Sequence, residues 1–89
     1  MTKNESNASF LKALGHPVRL MIARALLDGQ KCVGEIESSM NIRQANASQH
    51  LMILRTNGIV DSNRNGNQKY YYLKEPKVIN NIITILEAD

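Results

Sequence analysis

The stretch QANASQHLMILRTNGIVDSNRNGNQKYYYL, residues 44–73, changes its apolar period partway along. Up to Gly58, the residues Ala47, Leu51 and Leu54 recur at helical spacing. Beyond it, IVDSNR and QKYYYL are rich in β-branched and aromatic residues and read as strands. Asn-Gly-Asn between them is a strong hairpin signal. Few folds accommodate a helix running straight into a hairpin in a short chain.

The flanking segments read as helices. SNASFLKALG carries Phe10, Leu11 and Leu14 at helical spacing, with Gly15 as a stop. HPVRLMIARALLDG places Pro17 in a first turn and ends at Gly29. Its apolar stripe is Leu20, Ala23 and Leu27, flanked by Ile22 and Leu26. QKCVGEIESSM spaces Val33, Ile36 and Met40 for a short helix. Cys32 stands at its N-cap and Glu35 three residues on, as in a capping box. NIR is a short turn. The last segment, EPKVINNIITILEAD, opens with Pro76 and carries Val78, Ile79, Ile82, Ile83, Ile85 and Leu86. That surface is wider than one small core needs, which suggests a dimer interface.

The expected fold class is therefore mainly α with a β-hairpin wing. It is a dimeric winged helix-turn-helix, in the order helix-helix-helix-helix-strand-strand-helix. A single domain spans residues 1–89, with residues 1–6 flexible and the first and last helices used for dimerisation. Phe10, Leu11, Ile79, Ile82, Ile83 and Leu86 are the candidate dimer face.

A chain of 89 residues favours one domain. No apolar run approaches the roughly 18 residues of a membrane helix, and MTKNESN lacks a signal-peptide core. A single cysteine forms no internal disulfide. The expectation is a cytoplasmic protein with no membrane partner. Charge is uneven. Residues 41–74 set Arg43, Arg55, Arg64, Lys69 and Lys74 against Asp61 alone, the footprint of a nucleic-acid reader.

In a helix-turn-helix the second helix enters the major groove N-terminal end first. Here its outward face holds Gln44, Ala45, Ser48 and Gln49, with Asn46 less clearly outward. A structural surface helix ordinarily carries Glu and Lys pairs there instead. Gln bonds bidentately to adenine, and Ser reaches several base edges. Arg43 and Arg55 flank the face and suit phosphates. The wing tip offers Arg64, Asn65, Asn67, Gln68 and Lys69, of which Arg64 and Lys69 are the DNA-contact candidates. Asn-Gly is explained by turn chemistry alone. The tyrosines can serve as a stacking platform, or Tyr71 can pack inward with Tyr70 and Tyr72 partly exposed.

Four separated motifs, LGHPVRLMI, CVGEI, QANASQHLMILRTNGIV and RNGNQKYYYL, resemble the ArsR/SmtB winged-helix repressors in order and spacing. The resemblance covers nearly all of residues 10–86. It implies a homodimer built on the first and last helices, binding of double-stranded DNA at an inverted repeat, and release by an inducer. The recognition positions it implies are Gln44, Ala45, Ser48 and Gln49, with Arg64 in the wing. Ala45 stands where the family often has Ser.

The family's third-helix metal site often has Cys-Val-Cys, whereas here the run is Cys32-Val33-Gly34. A lone thiolate makes a poor soft-metal site, and residues 1–10 add only Glu5. The positions of the family's last-helix site hold Glu75, Lys77 and Ala88. No metal and no cofactor is expected. Cys32 remains open between a small, partly buried cap residue, a one-cysteine redox switch favoured by a helix N-terminus, and, least favoured, a metal site or an inducer contact. A catalytic pair with His16 or His50 lacks an orienting acid and an oxyanion loop, so no enzyme is expected. His16 reads as a helix-entry residue, and His50 as a packing residue or phosphate contact. The expectation is a DNA-binding transcriptional regulator, most simply a repressor. The alternative is a winged-helix interaction module that titrates another regulator.

Overall fold

A computed structural model describes residues 1–88. The elements run α1 (Lys3–Leu14), α2 (Pro17–Leu26), β1 (Lys31–Cys32), α3 (Val33–Met40), α4 (Gln44–Thr56), β2 (Val60–Asn65), β3 (Gln68–Leu73) and α5 (Pro76–Glu87). This is the winged helix-turn-helix order, with one added strand.

α1 starts inside the segment expected to be flexible. Thr2 explains why. Its hydroxyl accepts from the Glu5 N–H at 3.1 Å, and the Glu5 carboxylate accepts from the Thr2 N–H at 3.1 Å. That reciprocal pair satisfies two donors that a helix start otherwise leaves open. Hydrogen bonding to the carboxylate from Thr2, from its backbone N–H first and then its side chain, holds the Glu5 carboxyl below its ordinary pKa. α2 is capped by His16, whose Nδ1 accepts from the Val18 N–H at 3.1 Å, with Pro17 in the first turn. α3 begins at Cys32, whose N–H donates to Glu35 Oε1 at 3.1 Å. It ends at Asn41, in the left-handed region at φ 52°. Asparagine tolerates that conformation better than most residues, and it allows the sharp turn into α4.

β2 and β3 form the wing, antiparallel, with Val60 opposite Leu73 and Asn65 opposite Gln68. Gly66 and Asn67 close it. Gly66 has φ 66° and Asn67 does not enter the positive region, the pattern of a II′ hairpin turn. β1 pairs with the other edge of β3, with Lys31 opposite Tyr71 and Cys32 opposite Tyr70, giving the sheet order β1-β3-β2. Two residues show no periodicity, so this strand has no sequence signature.

Ile22, Ile36, Leu51, Leu54, Ile59, Val60 and Ile79 are the largest fully buried side chains. They come from α2, α3, α4, the link from α4 to the wing (Ile59), the wing itself and α5, so one core ties the helix-turn-helix to its wing. Tyr71 and Leu73 close it from β3. α5 divides its apolar residues between two faces. Ile79 and Ile83 are buried in the chain's own core, while Ile85 and Leu86 are 74% and 65% exposed. Ile79 and Ile83 are thus unavailable to a partner, contrary to the expected dimer face. Phe10 and Ile82 are half-buried against the core, and Leu11 is exposed. Arg24 and Glu87 form an ion pair between α2 and α5. Both ends are half exposed, which makes such a pair worth little. No helix among the described residues is long and apolar enough to cross a membrane.

Candidate nucleic-acid interface

The phase of α4 is set by its buried side. Ala47, Leu51 and Leu54 have no exposed surface at all. At about 100° per residue, this turns Arg43, Gln44, Ala45, Asn46, Ser48 and Gln49 outward, and all six are exposed. Asn46, ambiguous from the spacing, falls on the solvent side.

The start of α4 is chemically unlike the starts of α1 and α3. Its first turn contains no acid, and its N-cap, Arg43, like Cys32 of α3, makes no side-chain cap bond. The other two helices have Glu5 and Glu35 in their first turns. α4 therefore directs open backbone N–H groups and the positive end of its dipole at solvent, beside a guanidinium. That arrangement suits an incoming anion.

The wing adds a second concentration of positive charge. Arg64 and Lys69 are directly opposed across the hairpin. Like charges in that position destabilise a sheet. Lys69 is steadied by Tyr71, whose ring centroid lies 5.5 Å from its Nζ. Between α4 and the wing runs an open groove of about 480 Å³. Gln44, Ser48 and Arg55 line one side, and Asn67, Gln68 and Lys69 the other. Met52, 65% exposed, also lines it. Sequence reasoning did not single out Met52. The available signal was its place one turn after Ser48 on the same face. Ala45, Asn46, Gln49, Arg43 and Arg64 are exposed outside the groove. Arg55 Nε lies 3.4 Å from Asp61 Oδ1, a pair between largely exposed side chains that leaves the rest of the guanidinium facing the groove.

His50 packs rather than facing solvent. Its ring lies 4.6 Å from that of His16, and its Nδ1 lies 3.4 Å from Arg19 Nη1. Arg19 Nε in turn donates to the Ala13 carbonyl at 2.5 Å. This chain links the end of α1 and the start of α2 to the middle of α4. Burial, then the His16 and Arg19 charges, push the His50 pKa below its ordinary value. Cys32 is half-buried at the junction of β1 and α3. Among the described residues, no group of three or more His, Cys, Asp or Glu side chains is placed to hold a metal ion.

Known proteins bear the same arrangement. The model for the bacterial regulatory proteins of the arsR family matches residues 16–62, from the α2 cap into the wing. The biofilm growth-associated repressor of Xylella fastidiosa strain 9a5c is 44% identical over 84 residues, covering 91% of this chain and 74% of that protein. HlyU from Vibrio cholerae superposes with a TM-score of 0.86 at 33% identity, over the whole of both chains. The transcriptional repressor BigR from Xylella fastidiosa does so at 0.78 and 39%, again over both whole chains. With its winged helix-turn-helix and its matching motifs in sequence, this chain belongs to the ArsR family of bacterial regulatory proteins.

Proposed function

We propose that this chain is a transcriptional repressor that binds double-stranded DNA as a homodimer at an inverted repeat. One observation carries the reading: two neighbouring elements accept an electrostatic cost that a polyanion relieves. α4 opens with an uncapped terminus beside Arg43, and the wing tip opposes Arg64 to Lys69. Phosphates at the helix start and along the wing would neutralise both. Gln44, Ser48 and Gln49 would then face base edges in the major groove, and Arg64 the adjacent minor groove or backbone. The names of the similar proteins, repressors among them, agree with this reading.

The dimer follows from what the fold leaves uncovered. Val78, Ile82 and Ile85 recur at i, i+4 and i+7 on a stripe of α5 that flanks Ile79 and Ile83, with Ile82 half-buried against the core and Val78 and Ile85 exposed. Leu11 of α1 and Leu86 add further exposed apolar surface. Two copies joined through α1 and α5 cover it. They would present two α4 helices to half-sites about one helical turn, ~34 Å, apart. Cys32 is the candidate control point. Its N–H starts α3, and its strand position opposes Tyr70 of the wing. A mixed disulfide there would disturb both supports of the interface.

The test is fluorescence anisotropy with duplex DNA from upstream of the protein's own gene, titrated with salt. Tight binding should weaken as salt rises, with a log–log slope of about −0.9 per phosphate neutralised. Arg64→Ala should reduce that slope by about 1. Oxidation with a small disulfide should release wild type but not Cys32→Ser. Binding no tighter than to random DNA would sink the repressor reading and favour an interaction module.

A further inference from the structure

The exposed start of α4 carries one side chain unlike its neighbours. Gln44, Asn46, Ser48 and Gln49 end in amides or a hydroxyl, whereas Ala45 offers only a methyl, and all five are exposed. Ala45 lies three and four residues ahead of Ser48 and Gln49, so the three share a face. Ala45 is not a core residue, unlike Ala47 two positions on, which has no exposed surface. Nor does it help the helix terminus, where an acid would be favourable and where α1 and α3 place Glu5 and Glu35. What Ala45 does provide is a short apolar contact in a face otherwise built for hydrogen bonds. In the major groove, the apolar feature of a base edge is the thymine C5-methyl.

Resting on the DNA-binding reading above, we propose that Ala45 is a specificity-determining residue whose methyl packs on a thymine C5-methyl in each half-site. Gln44, Ser48 and Gln49, beside it, hold the helix over that base pair. A cytosine at the same step offers an amino donor and no methyl, so the contact discriminates T·A from C·G without a charged side chain.

The experiment uses the full chain. Its preferred duplex is first selected from a random pool. Each thymine of a half-site is then replaced singly by deoxyuridine, which removes the methyl and leaves base pairing intact. One thymine per half-site should be found at which this weakens wild type about fourfold, the size expected for one buried carbon. Ala45→Gly should bind the two duplexes alike at that step and respond as wild type does at every other thymine. Ala45→Ser keeps a normal helix start but sets a hydroxyl on the carbon that meets the methyl, whose desolvation opposes the contact, so it should also bind the two within twofold, which preserves the test if the glycine variant folds poorly. The proposal is overturned if no thymine methyl matters to wild type, or if one matters equally to both variants. In that case specific DNA binding still stands. If no duplex is selected at all, the DNA-binding reading fails and this inference with it.

Discussion

Arg43 stands where a helix start ordinarily has Ser, Thr, Asp or Asn. A cation at that position works against the helix dipole, and the chain tolerates this with no side-chain cap in exchange. Arg43→Asp should therefore stabilise the free protein by about 1 kcal/mol, raising Tm by roughly 4–8 °C. The same change should lower DNA affinity at least tenfold, since it sets a carboxylate against phosphate. Thermal unfolding and anisotropy on one sample check both signs, and a variant that loses stability would refute the functional account of this terminus. The opposite behaviour is expected on the inner side of the helix. Leu51 is fully buried, so Leu51→Ala should cost about 2–5 kcal/mol, measured by urea unfolding. That is a large part of what a domain of this size has.

At the scale of elements, α4 is held in place by a link that no periodicity announces. His50 reaches Arg19 and His16 from residues more than thirty positions away. Neutral His50 accepts from the Arg19 guanidinium through Nδ1, whereas a protonated ring would face the guanidinium as a second cation. Its pKa lies below the ordinary 6.5, chiefly through burial. As pH falls, the unfolded chain takes up this proton first. Stability is full above about 6.5 and declines as pH drops through the window between that value and the folded-state value. Urea midpoints across pH 5–7.5 should fall on the acid side in wild type, with a shallower slope in His50→Gln. Equal slopes would show that the link does not titrate in this range. Glu5 and Glu35, also shifted downward, act only at more acid pH.

At the scale of the whole molecule, α5 joins two tasks. Ile79 and Ile83 complete the core, while Ile85 and Leu86 remain uncovered. Ile85→Glu should yield a folded monomer in sedimentation, because it changes only the outer stripe. Its affinity for a two-half-site duplex should fall at least tenfold, since the two recognition helices are no longer coupled. Ile79→Glu should instead unfold the chain. An Ile85→Glu protein that remains dimeric would move the interface elsewhere.

By itself the sequence determined the helix order, the inward phase of α4, the hairpin and its turn, and the exposed polar face that begins at Gln44. Each follows from local rules: side chains three or four apart share a helix face, and a glycine between asparagines turns a strand back, here as the pair Gly66-Asn67. The inward Tyr71 was one of two placements the sequence left open, and its burial decides between them. Only the tertiary structure decided which α5 residues belong to the core, because a broad apolar face is divided by what packs against it. The same holds for the pairing of Lys31 and Cys32 with β3, for the Arg19–His50–His16 link, and for the Arg55–Asp61 pair. These are contacts between residues distant in the chain, and short-range spacing holds no record of them. The start of α1 at Lys3 is the reverse case. Its signal, Thr2 followed by Glu5, was local, but it lay ahead of any apolar periodicity that would have drawn attention to it.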